Sequence, residues 1–173
     1  ITDPGALLRE AFVGEPELLI EVGSFQDDVA ILRQRGRLSN VKALSVVAAG
    51  LGAIHREVGS LAEGVIGPSQ WEPRVKYDNI AGPDLAWFLS EYRARFQHLP
   101  DYPAVQAFAA GVVFMECFRM AGSLEDERLL EAAHTLDLTT LFGRFRLDPT
   151  TGRQVGHQAL LIQWQPTRRN PTL

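Results

Sequence analysis

The sequence predicts an α/β fold of Rossmann-like parallel βαβ units with a C-terminal antiparallel hairpin. Three observations carry that prediction. Short apolar runs alternate with amphipathic segments from Glu17 to Gly67. The texture then changes at Pro68, after which apolar residues recur at helical rather than strand spacing. The end of the chain returns to short alternating runs around a DPTTG turn.

Glu17 to Gly23 (ELLIEVG) follows Pro16 and reads as a buried strand, because a strand covered on both faces is apolar at successive positions. Phe25 to Arg35 reads as a helix. Asp27 and Asp28 suit its first turn and Arg33 and Arg35 its last, through the helix dipole. Val41 to Ala48 is a second buried strand, Gly50-Leu51-Gly52 turns the chain into a short helix through Ile54 and Val58, and Gly64 to Gly67 is a third strand. Strands joined in this way by short helices form parallel units with right-handed crossovers.

Pro68 to Pro83 reads as an irregular crossing between lobes. Asp84 to Phe96 is an amphipathic helix with Leu85, Phe88, Leu89, Tyr92 and Phe96 on one face. Pro103 opens a helix running to Met120 that is apolar on nearly every side, which predicts burial, and Gly122 stops it. Ser123 with Asp126 caps a further amphipathic helix through Leu136. Phe142 to Leu147 and Ala159 to Gln165 are expected to pair as one hairpin across the turn Asp148 to Gly152. The domain boundaries that follow are 1–72, a βαβαβ unit; 73–136, helical; and 137–173, the hairpin and tail.

The composition excludes several classes of function. The 173 residues are 46% hydrophobic and 22% charged, enough apolar content to form a core rather than a disordered chain. Lys and Arg number 17 against 21 Asp and Glu, so no basic excess supports a dedicated nucleic-acid binder. Cys117 stands alone, without a disulfide partner or thiolate metal site in the chain. No charged and apolar leader pattern opens at Ile1, and the longest apolar run, 107–115, is too short to span a bilayer.

The chemistry-bearing motifs are weak. Gly50-x-Gly52 starts a dinucleotide pattern, but His55 stands where the third small residue belongs, so a tight strand-to-helix turn is the better reading. The phosphate loop, the HExxH zinc motif and the nucleophile elbow are absent from the sequence. His55, His98, His134 and His157 have no ligand spacing and read as surface or capping residues. Cys117 reads as core, and the Asp27-Asp28 and Glu125-Asp126-Glu127 runs as helix beginnings. No catalytic residue, metal ligand or cofactor is expected. The informative positions are the strand ends Gly23-Ser24-Phe25, Ala49-Gly50 and Ser69-Gln70-Trp71, because ligands of open α/β sheets bind outside the carboxyl ends of the strands. Trp71 and Phe25 either wall such a site or pack the hinge.

The blocks PELLIEVGSFQDDVAILRQ, LAEGVIGPSQWEP, AWFLSEYRARFQHLPDYPAVQAFAAG and FGRFRLDPTTGRQVGHQALLIQW, in that order, resemble the C-terminal portion of the branched-chain amino acid substrate-binding proteins of ABC transporters. The resemblance runs from about Pro16 to Gln165. It implies a type I periplasmic-binding fold, here an incomplete two-lobe architecture. Residues 1–72 and the hairpin would belong to lobe two and 73–136 to lobe one, with a three-crossing hinge. It implies ligand binding by Ser24 and Phe25, by the backbone of Gly50 and by Tyr102; Trp71 is added from its size and place.

The implied function is that of a periplasmic or extracellular solute-binding protein, membrane-associated through its transporter. It would bind an amino acid or related small amide by hinge closure, partner an ABC permease and catalyse nothing. Family members are roughly twice as long, so a homodimer or a complementary fragment is expected to cover the lobe-one helices. A ligand-sensing regulatory domain and a flavodoxin-like enzyme are the competing readings. A Phe at 25, where the family commonly has Tyr, removes a hydroxyl from the site.

Overall fold

A computed structural model describes residues 4–166, apart from the side chains of Pro4, Leu7 and Phe12. The chain divides into two compact units: residues up to Ser69 together with those from Leu160, and residues Gln70–Ala159.

The first unit is a four-stranded sheet in the order β1 (Leu18–Ile20), β2 (Ala43–Ser45), β3 (Ile66–Ser69), β6 (Leu160–Gln163). The first three strands are parallel, with Leu19 opposite Leu44 and Ser45 opposite Ile66, while β6 runs antiparallel to β3 with Ser69 opposite Leu160. Three helices accompany them: α1 (Pro4–Ala11), α2 (Phe25–Arg33) and α3 (Gly52–Val58). The core is aliphatic, with Val29, Ile31, Leu32, Leu44, Val46, Ile54, Val58 and Val65 buried in one cluster. Burying each such side chain contributes about 1.5–3 kcal/mol. The α/β class and parallel units expected from the sequence are the ones found.

The strands are shorter than the apolar runs that announce them. β1 is also not buried: Leu18 and Ile20 are exposed and only Leu19 packs inward. Side chains two apart share a face of a strand, and no described element covers the Leu18/Ile20 face of this edge strand.

The second unit contains α4 (Leu85–Phe96), α5 (Tyr102–Ala121), α6 (Asp126–Thr135) and an antiparallel pair, β4 (Asp137–Thr140) with β5 (Gly143–Arg146). Asp84 caps α4 by accepting the Trp87 N–H at 2.7 Å. Gly122 ends α5 in the left-handed conformation (φ 59°) that glycine adopts without a Cβ penalty. One buried cluster joins Trp71, Phe88, Val105 and Leu141; another joins Cys117, Ala132, Leu136 and Leu138.

Four expectations are corrected here. Residues 142–147 do not pair with 159–165. They fold back on Asp137–Thr140 through the two-residue turn Leu141-Phe142, while Leu160–Gln163 joins the other unit's sheet beside β3. The short turn closes a far smaller loop and costs less chain entropy. The DPTTG turn does form, held by the Asp148 carboxylate and a Leu147–Gln154 bridge.

Second, α5 is not buried all round: Phe114, Met115, Phe118 and Met120 are at least 37% exposed, because α6 covers only one side. Third, this 20-residue helix is long and apolar enough to cross a membrane by length and composition alone, since it extends beyond the run 107–115 at both ends. Fourth, α6 starts after Glu125, with the Ser123 hydroxyl accepting the Glu125 N–H at 3.1 Å rather than capping the helix.

Candidate functional site: the strand-end turns

In the first unit, the turns after β1 and β2 lie at the carboxyl edge of the parallel sheet. Ser24 is the N-cap of α2 in a reciprocal capping box. Its Oγ accepts the Asp27 N–H at 3.3 Å, and Asp27 Oδ2 accepts the Ser24 N–H at 2.9 Å and the hydroxyl at 2.7 Å. The pattern is legible as S-x-x-D before an apolar face. Phe25, the first helical residue, is half-buried and packs against the aliphatic core.

After β2 the chain forms a 3-10 turn, Val47–Gly50. A Cβ on Gly50 would stand 2.7 Å from the Pro68 carbonyl oxygen and 2.8 Å from Ser69 Cα, so close approach to β3 requires glycine there. Trp164, directly after β6, donates its indole N–H to the Ala49 carbonyl at 2.9 Å and stacks on His55 with ring centroids 5.1 Å apart. The backbone after β2 is thereby fixed from two sides.

Two acidic residues in these turns were not singled out by sequence reasoning as a pair. Asp28 is completely buried, and its Oδ2 accepts the Ala48 N–H at 2.6 Å, tying α2 to the turn after β2. The signal was available, because Asp28 lies three and four residues before Ile31 and Leu32, on the buried face of α2. Glu21 is half-buried beside it. Burial, the hydrogen bond to Asp28 and the charges of Asp28 and Asp27 raise the Glu21 carboxyl from 4.5 to about 8, against a smaller opposing effect of the Gly23 amide.

Trp71 and Tyr102 belong to one aromatic cluster of the second unit. Trp71 is 2% exposed and donates its N–H to the Leu141 carbonyl at 3.1 Å. Ring and N–H are both engaged inside the unit, the arrangement that the hinge-packing alternative for Trp71 describes. Tyr102, at the head of α5, is half-buried. Ser69 is buried as well.

The histidines are not all surface residues. His157 stacks on Phe142 with centroids 4.5 Å apart and its Nε2 meets the Gln70 carbonyl at 2.8 Å. Burial pushes the Cys117 thiol up, which favours the unreactive protonated form. No cluster of three His, Cys, Asp or Glu able to hold a metal occurs among the described residues. An open groove of about 710 Å³ within the second unit runs along α5 and α6, lined by Phe114, Cys117, Leu130 and Phe145.

A family model described as periplasmic binding protein matches residues 1–169. The chain belongs to that family. Solved structures agree on the fold. A leucine-binding protein, LivK, from Thermotoga maritima matches with a TM-score of 0.81 at 18% identity over 96% of this chain. A solute-binding ABC transporter protein from R. palustris, solved in complex with benzoate, gives 0.76 at 15% identity over 96%. A substrate-binding protein from Sphaerobacter thermophilus gives 0.74 at 23% identity over 93%. The chain covers 46%, 45% and 44% of those proteins, less than half of each. The family and type I periplasmic-binding fold that the sequence blocks resemble are therefore the ones found.

Proposed function

We propose that this periplasmic binding protein chain is part of an extracytoplasmic solute receptor of an ABC transporter. The ligand is an amino acid or related small amide, and the receptor closes on it about a hinge without chemical turnover. The family match across residues 1–169 carries this reading. The parallel sheet supports it, because its strand-end turns offer the Ser24 hydroxyl and the Phe25 ring at one edge and the Gly50 backbone at the next turn. Tyr102, at the head of α5, is the contribution of the helical unit. In this reading residues 1–72 belong to one lobe and the helices within 73–136 to the other.

The permease of an ABC transporter is the macromolecular partner. The exposed apolar side of α5 and the groove beside it are covered in the working protein by a second copy or a complementary polypeptide. Native mass spectrometry reads this directly: dimers or a second chain support the cover, and a dilute monomer excludes it.

Calorimetry of the full-length protein against a panel of branched-chain amino acids, their amides and benzoate tests the ligand class. Binding of an amino acid or amide, weakened by Ser24→Ala, is the expected result. Tight binding of benzoate alone, or no effect of the Ser24 change, overturns the assignment.

A further inference from the structure

The turns after β1 and β2 are joined by a contact that needs a proton. Asp28 offers two carboxylate oxygens inside the protein. Oδ2 takes the Ala48 N–H; Oδ1 is shut off from solvent and receives no donor. Glu21 presents the same defect, with Oε2 buried and without a donor. Asp28 stands within hydrogen-bonding reach of the Glu21 carboxyl and, after burial, is what holds that carboxyl above its usual range. Two ionised carboxylates are acceptors only, so they cannot bond to each other; one carboxylic acid and one carboxylate can. Leaving both oxygens ionised would bury two like charges together with unmet acceptors.

We propose that Glu21 and Asp28 hold one proton between them, a strut that ties the turn after β1 to the turn after β2 and is lost in alkaline solution. The groups that face the pair are consistent with this. From α2 come the Asp28 and Asp27 carboxylates, both of which oppose ionisation of Glu21; from its own turn comes the Gly23 amide, which favours it more weakly. From the turn after β2 comes the Ala48 amide, which donates to Asp28 Oδ2. When the proton leaves for solvent, Asp28 keeps its amide donor while Glu21, the less buried partner, swings outward. The strut is independent of which solute the protein binds.

The sign of the pH dependence follows. The folded state holds a proton on Glu21 up to about pH 8, against 4.5 for the free side chain. This contribution to stability is fully present below 4.5 and is lost as pH rises to about 8. A carbon-13 titration of the glutamate side-chain carboxyls in the 173-residue chain, from pH 5 to 10, tests the proton itself. One resonance is expected to titrate near 8 and to vanish in Glu21→Gln. If every glutamate titrates below about 6, the shared proton does not exist.

Thermal unfolding supplies the second reading. Between pH 6 and 9 the unfolding midpoint of the native chain falls several degrees further than that of Glu21→Gln, whose amide donates to Asp28 at any pH. Equal falls in both proteins overturn the strut. Should Glu21→Gln fail to fold, the titration of the native chain decides alone.

Discussion

The two units bury their apolar residues in different ways. In the first, aliphatic side chains from helix and strand form one cluster, and Leu32, Ala49, Ile54, Ala62 and Val65 have no exposure at all. In the second, aromatic rings share the work. Trp71 and Phe88 are nearly closed off, yet Trp87 and Phe96 on α4 and Phe114 and Met115 on α5 remain about half exposed. The first unit's helices find a sheet beneath them. α5 and α6 find each other and a two-stranded ribbon, which is too little area for a helix apolar on every side. Apolar content therefore says that a surface wants cover, and only the neighbouring chain decides whether it receives it.

That contrast makes Trp71 the most sensitive position. Trp71→Ala should cost the second unit about 3–5 kcal/mol, the range for removing a buried aromatic together with its packing. Its N–H bond to Leu141 is lost as well. Trp164 reports on the first unit and should keep its native fluorescence at denaturant concentrations where the second unit has unfolded. An unchanged unfolding profile would sink the assignment of Trp71 to the core and restore it as a candidate ligand contact.

The same comparison explains what was legible in the sequence. The order of strands and helices could be read, because alternating apolar runs, the acidic first turn at Asp27 and Asp28, and Gly122 are local signals. The pairing of the end of the chain could not. Phe142–Leu147 and Ala159–Gln165 both look like hairpin strands, and nothing local says that one pairs with the segment just upstream, Asp137–Thr140, and the other with β3. Trp71 was conspicuous but ambiguous, since a large aromatic after a strand suits a ligand wall and a core equally. Glu21 and Asp28 were hidden for another reason: helix-dipole chemistry already accounted for Asp28, and their contact depends on how α2 rests on the sheet.

A smaller effect is expected at Ser24, where local structure and proposed function overlap. Ser24→Ala removes the acceptor for the Asp27 N–H and should cost the first unit about 1 kcal/mol. Ser24→Asn restores a capping oxygen, so stability should return nearly to the native level. Ligand affinity need not follow, because an amide is not a hydroxyl. If the Asn variant recovers both together, Ser24 acts on binding only by shaping the turn.

The smallest change in stability is expected on the open side of α5. Met115 is 59% exposed and belongs to none of the buried clusters, so Met115→Ser should shift the unfolding free energy of the isolated chain by less than about 0.5 kcal/mol. Its effect should appear in self-association instead, measured by sedimentation at increasing concentration. Exposed apolar surface of this kind drives association by removing area from water, at about 25 cal/mol per Å². Weaker association with unchanged folding would identify this face as the one seeking cover. A loss of folding stability in a dilute monomer would instead mean that Met115 is already packed, and the contrast between the two units would narrow to their aromatic content.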